Sequence, residues 1–133
     1  MPTDTLTRRQ PRTTTLEVGH EGEQQALHYL QAHGLTLIQK NYRCKMGEID
    51  LIMRDGPTVV FIEVRVRLEK KHGNGAASIT YHKQRKIIKT ATLFLYQNPS
   101  FNNNPARFDV IDINPNQTQA NHIQWIPAAF DAF

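Results

Sequence analysis

Apolar residues recur at two different spacings along this 133-residue chain, and the change of spacing marks out its elements. Over residues 16–33 the pattern is helical. Ala26, Leu27 and Leu30 form a stripe, Glu17, Glu21 and Glu23 lie toward the start, where acids suit the macrodipole, and Gly34 is placed to end the helix. Residues 35–42 read as a strand. Residues 47–54 and 58–67, rich in Ile, Val and Phe, read as two more, with Asp55-Gly56-Pro57 as the turn between them. A loop over 68–77, containing Gly73 and Gly75, leads to a second helix that Ser78 or Thr80 can cap and that runs to about Gln97. Its apolar face carries Ile87, Ile88, Ala91, Phe94 and Leu95. After a loop over 98–105, residues 107–113 read as a fourth strand, and 122–126, with Trp125, as a short edge strand.

The order helix, three strands, helix, strand predicts an α/β fold with a mixed sheet flanked by helices. The first three strands can form a meander, and the second helix can make a right-handed crossover to a parallel fourth strand. Residues 1–15 hold almost no apolar side chains and read as a flexible arm, with 16–133 as a single domain.

The central hairpin has two unlike faces. One carries Ile49, Leu51 and Met53 with Val60, Ile62, Val64 and Val66, and is wholly apolar. The other carries Glu48, Asp50, Ile52 and Arg54 with Val59, Phe61, Glu63 and Arg65. A turn centred between Gly56 and Pro57 sets Asp50 directly opposite Glu63. A slip of one residue would scatter both sets across the two faces. Proline is awkward in a two-residue hairpin loop, so a longer turn about the same centre is expected.

Composition changes this picture little. Hydrophobic residues make up 39% and charged residues 21%, as in an ordinary globular domain, and the net charge of +4 permits a polyanionic partner without demanding one. The placement of charge says more. From Arg65 to Lys89 there are eight basic residues and one acid, Glu69, so half of the 16 Lys and Arg follow the hairpin directly. Cys44 is the only cysteine, which excludes an intrachain disulfide and argues against a zinc cluster, and the six histidines show no metal-ligand spacing. No apolar leader or membrane-length run is evident, so the expected setting is the cytoplasm, with no membrane partner.

Two carboxylates facing each other on adjacent strands repel. A divalent cation between them is the natural remedy, because hard cations take carboxylate oxygens. The bland alternative is a surface hairpin whose acids pair with Arg65 and Arg54. A basic stretch beside an acidic metal-type site suits a phosphodiester backbone. The alternative for that stretch is a solvated helix face.

The segments Gly19-His20-Glu21-Gly22-Glu23, Asn41-Tyr42-Arg43, Gly47-Glu48-Ile49-Asp50-Leu51-Ile52, Phe61-Ile62-Glu63-Val64-Arg65, Lys83-Gln84-Arg85 and Arg107-Phe108-Asp109-Val110 occur in order over nearly the whole chain. In these the sequence resembles the YraN-type family of bacterial proteins, within the restriction-endonuclease-like superfamily and close to archaeal Holliday-junction resolvases. The resemblance implies a metal-dependent nuclease acting on DNA, with branched DNA as a candidate substrate and a homodimer to match its two-fold form. Asp50 matches the superfamily's first acid, Glu63 the acid of its acid-x-Lys triplet, and Glu23 a first-helix acid that joins the metal shell. These three are the implied ligands of Mg²⁺ or Mn²⁺. Arg65 stands where the triplet has lysine. Arginine stays protonated and cannot act as a base, but it can hold a phosphate. Lys83, from the second helix, is the candidate to replace the lysine. Asp50, Glu63, Arg65 and Lys83 are thus the implied catalytic set, and Arg65, Arg67, Lys83 and Arg85 the implied nucleic-acid contacts. The alternative is a catalytically inactive module on a nuclease scaffold that binds nucleic acid or protein.

Overall fold

The computed structural model describes residues 15–67, 79–115 and 122–132. Of the arm expected over 1–15, residues 1–14 lie outside the described residues, as does the loop expected over 68–77, while Thr15 already belongs to the first helix.

Helix α1 (Thr15–Ala32) ends at Gly34 as its sequence predicts. Gly34 adopts φ +97°, its N–H donates to the Gln31 carbonyl at 3.0 Å, and the Leu35 N–H donates to the Leu30 carbonyl at 3.1 Å. This paired closure, with Leu30 and Leu35 buried together, is a Schellman motif, and only a residue tolerant of positive φ can sit at its pivot.

Strands β1 (Thr36–Cys44), β2 (Gly47–Asp55) and β3 (Thr58–Val66) form an antiparallel meander. The β2–β3 register places Leu51 against Ile62, Met53 against Val60 and Asp55 against Thr58, which is the register that the apolar pattern predicts. The turn is shorter than expected, since only Gly56 and Pro57 remain unpaired. Gly56 has φ +59°, so the left-handed residue comes first in the loop, and proline, with its fixed negative φ, fits the second position.

Helix α2 (Tyr81–Gln97) begins at Thr80, whose hydroxyl accepts the Lys83 N–H at 3.1 Å. After a short 3₁₀ turn (Pro99–Phe101), β4 (Ala106–Ile113) returns parallel to β3, and β5 (Ile123–Phe130) pairs antiparallel with β4. The sheet order is β1-β2-β3-β4-β5. The two helices and mixed sheet are those of a restriction-endonuclease-like core. Strand β5 runs past the predicted 122–126 because a bulge opposite Asp109 hides its continuation from the alternation pattern.

That bulge is held by charge. The Asp109 side chain is fully buried, and its carboxylate accepts from Arg107 Nε at 2.9 Å, Trp125 Nε1 at 3.0 Å and the Ala128 N–H at 2.9 Å. Arg107 also reaches Asp55 at 3.0 Å, across the sheet. Arg107 and Asp109 are therefore strand anchors, with Trp125 packed at the edge beside them.

Apolar residues cover both faces of the sheet. On one, Ala26, Leu27 and Leu30 of α1 meet Leu51, Met53, Val60, Ile62, Ile111 and Ile113. On the other, Ile87, Ala91 and Phe94 of α2 meet Ile52, Val59, Phe61 and Phe108. Gly22 lets α1 come down on the sheet, because a Cβ there would overlap Val66 Cγ2. One expectation fails here. Ile49 packs on the α2 side rather than with Leu51 and Met53, so the alternation of β2 breaks between Ile49 and Leu51. Asp50 sits at the break.

Candidate active site

Asp50 is passed over by the sheet on both sides. Between β1 and β2 the pairing steps from Lys40–Leu51 to Tyr42–Ile49, and between β2 and β3 it stops at Leu51–Ile62. Asn41, which would face Asp50 from β1, has φ +50°, a conformation that asparagine tolerates better than most residues. The strands part where the apolar pattern sets Asp50 against Glu63. The Asp50 carboxylate fills the gap by accepting the Val64 N–H through Oδ2 at 2.8 Å.

Glu63, buried where Asp50 is half-buried, takes the ammonium of Lys83 at 2.6 Å from its Oε2. The Asp50 carboxyl is pushed up to about 8, first by burial and then by the charge of Glu63, with smaller contributions from Glu23 and Glu48 and a partial offset from the Val64 N–H.

Glu23 enters from α1. Its Oε1 accepts Asn41 Nδ2 at 2.9 Å, while the same amide lies 3.4 Å from Glu48, which in turn pairs with Arg43 at 3.3 Å. A cleft of about 210 Å³ opens here, lined by His20, Glu23, Gln24, Lys40 and Asn41.

Among the described residues, no three acidic, histidine or cysteine side chains come together as a metal site. The implied set of Asp50, Glu63 and Glu23 is therefore not assembled as one cluster, and Glu23 is tied to Asn41 instead. Asp50 and Glu63 remain as a pair. A two-carboxylate set would fit Mg²⁺, which is held by one or two carboxylates with water and substrate phosphates rather than by an all-protein cage.

The basic residues divide. Lys83 enters the site. Arg85, two residues on, lies about 200° around the helix from it at 3.6 residues per turn. Arg85 faces outward, with its guanidinium 6.0 Å from the Tyr81 ring centre. Arg67 Nε is engaged by Asp112 at 3.2 Å. Arg65 is partly buried and in register with Asp112 on β4.

Residues 22–113 match the model of a family described as Uncharacterised protein family UPF0102. The chain belongs to this family. The match spans each candidate site residue from Glu23 to Arg85. A UPF0102 protein of Herminiimonas arsenicoxydans is 48% identical over 127 residues, covering 93% of this chain and 94% of that protein. The UPF0102 protein of Pseudomonas savastanoi is 44% identical over 122 residues, covering 92% and 99%, and that of Legionella pneumophila strain Corby is 48% identical over 118 residues, covering 89% and 98%.

For this UPF0102 chain, two contributors escaped the reading of the sequence. Asn41 was visible only as part of a motif, without a role. Its bridging of Glu23 and Glu48 needs the third dimension, although an asparagine within an otherwise regular strand is a mild sign of irregular backbone. Gly22 carried a clearer signal, because glycine inside a helix costs stability unless something packs close to it.

Proposed function

We propose that this protein is a metal-dependent nuclease that hydrolyses phosphodiester bonds in DNA in the cytoplasm. The observation that carries the reading is the juxtaposition of Asp50 and Glu63 where the sheet stops pairing, with the Asp50 carboxyl raised to about 8 by burial and by the charge of Glu63. Asp50 and Glu63 would hold Mg²⁺ or Mn²⁺. An ion bound there supplies Lewis acidity at the phosphate and lowers the pKa of a coordinated water.

The protein's own groups do the rest. Val64 fixes the Asp50 carboxylate through its backbone N–H. Lys83 keeps a cation beside Glu63, where it can steady negative charge that develops on the phosphate. Arg65, two residues beyond Glu63 on the same strand, suits a phosphate oxygen by its planar donors. The cleft beside Glu23 offers Lys40 and His20 to the flanking strand. A branched, two-fold substrate would engage two copies of the chain.

Arg65 in place of lysine favours a second reading, a binding module without catalysis, because arginine cannot accept a proton. Calorimetric titration with Mn²⁺ separates the two. Binding by the wild type that Glu63→Gln abolishes is expected. Absence of binding by the folded wild type, with and without DNA, would leave only the module.

A further inference from the structure

The face of α2 turned away from the sheet has a pattern that the cleft does not use. Tyr81, Arg85, Lys89, Thr92 and Tyr96 recur at steps of four, four, three and four, so they form one stripe, and all five are exposed. The opposite side of the helix buries Ile87, Thr90, Ala91 and Phe94. At 73% and 81%, Tyr81 and Tyr96 are the most exposed large apolar side chains among the described residues. The Arg85 guanidinium lies 6.0 Å from the Tyr81 ring centre.

Charge reinforces the pattern. The helix contains Lys83, Arg85, Lys86 and Lys89 and no acid. The helix's own first turn carries no acidic residue to suit the positive end of its dipole, and three of its four cations lie in its first two turns. Within the molecule that arrangement is unfavourable. A polyanion along the helix would reverse the sign of the effect.

We propose that this outer face of α2 binds an unpaired stretch of nucleic acid, with Tyr81 and Tyr96 stacking on bases and Arg85 and Lys89 holding phosphates between them. Aromatic side chains interleaved with cations are the usual means of gripping single strands, since every base has a face to stack while only the backbone carries charge. Fifteen residues at 1.5 Å separate the tyrosines by about 22 Å, the length of roughly six stacked nucleotides at ~3.4 Å each. The stripe lies on the far side of α2 from Glu63, so the strand it holds is not the strand being cut. The inference rests on the nucleic-acid reading above and narrows it to substrates with unpaired segments, as at junctions, tails or gaps.

The test is fluorescence anisotropy of the full chain in EDTA, with labelled 12-nucleotide oligothymidine and a blunt 12-base-pair duplex, after circular dichroism has established that each variant is folded. The double variant Tyr81→Ala, Tyr96→Ala should lose at least tenfold in affinity for the single strand and stay within twofold on the duplex. The pair Tyr81→Phe, Tyr96→Phe should keep wild-type affinity for both, because stacking needs rings and not hydroxyls. Equal losses on both ligands, or none on the single strand, would overturn the stripe while leaving the nuclease reading intact. Unchanged oligothymidine binding with altered self-association would overturn it in favour of a second copy of the chain. Failure of the wild type to bind either ligand would overturn the nucleic-acid reading itself.

Discussion

Replacing Asp50 with asparagine should stabilise the metal-free protein at high pH. The carboxyl sits at about 8 against an ordinary 3.8. Between those values the unfolded chain has released the proton and the folded chain still holds it, so stability falls as pH rises, and the loss is complete above about 8. At ~1.4 kcal/mol per pH unit, the full effect is several kcal/mol, a large share of the stability of many domains. Asparagine carries no such proton and keeps an oxygen for the Val64 N–H. Urea unfolding in EDTA at several pH values from 4.5 to 9, followed by the fluorescence of the single tryptophan, reads the difference between variant and wild type directly. That difference should be small at pH 4.5 and reach several kcal/mol by pH 9. Magnesium should restore much of the wild type's stability at pH 9 and none of the variant's. A gap that stays constant with pH would refute the claim that Asp50 is held protonated by burial and by Glu63.

Three further outcomes follow from other contacts. Lys83→Met removes the cation that now occupies Glu63, so Mn²⁺ affinity measured by calorimetry should hold or rise a few-fold while any cleavage rate drops at least tenfold; parallel losses of both would show that Lys83 acts only on folding. Asp109→Ala strips Arg107, Trp125 and the Ala128 N–H of a buried partner and should cost about 3–5 kcal/mol in urea unfolding, whereas a loss under 1 kcal/mol would deny the network its anchoring role. Gly22→Ala should destabilise by about 1–3 kcal/mol, because β-branched Val66 cannot swing clear of a new Cβ. A second change, Val66→Ala, should recover part of that loss, and simple additivity in the double variant would show that the two do not meet.

The hairpin was legible because two constraints agreed. The period-two pattern from Leu51 to Met53 and from Val60 to Ile62 permits one register only, and that register points Asp50 at Glu63. Gly34 announced the end of α1 and Thr80 the start of α2 for equally local reasons. What escaped was the interruption of the strand. Ile49 looks like a member of the α1-facing set until β2 changes its alternation at Asp50, and no periodicity argument sees a backbone that leaves its strand for one residue. Pro57 misled in the other direction, because its cost at one position of a tight turn vanishes at the next. Lys83 and Arg85 look alike in sequence, yet helical geometry sends one to Glu63 and the other to solvent. Arg67 looked like a phosphate contact, but its Nε is taken by Asp112, an acid 45 residues away whose approach depends on parallel pairing.

The most direct measurement is cleavage of labelled DNA, in linear duplex, single-stranded and four-way-junction forms, by the wild type, Asp50→Asn and Glu63→Gln, each in Mg²⁺ and in EDTA. The expected result is Mg²⁺-dependent cleavage of at least one form by the wild type, lost on EDTA addition and in both folded variants. Cleavage that survives in Asp50→Asn, or a wild type that binds Mn²⁺ and DNA yet cuts none of the three, would contradict the assignment of Asp50 and Glu63 as a hydrolytic metal site.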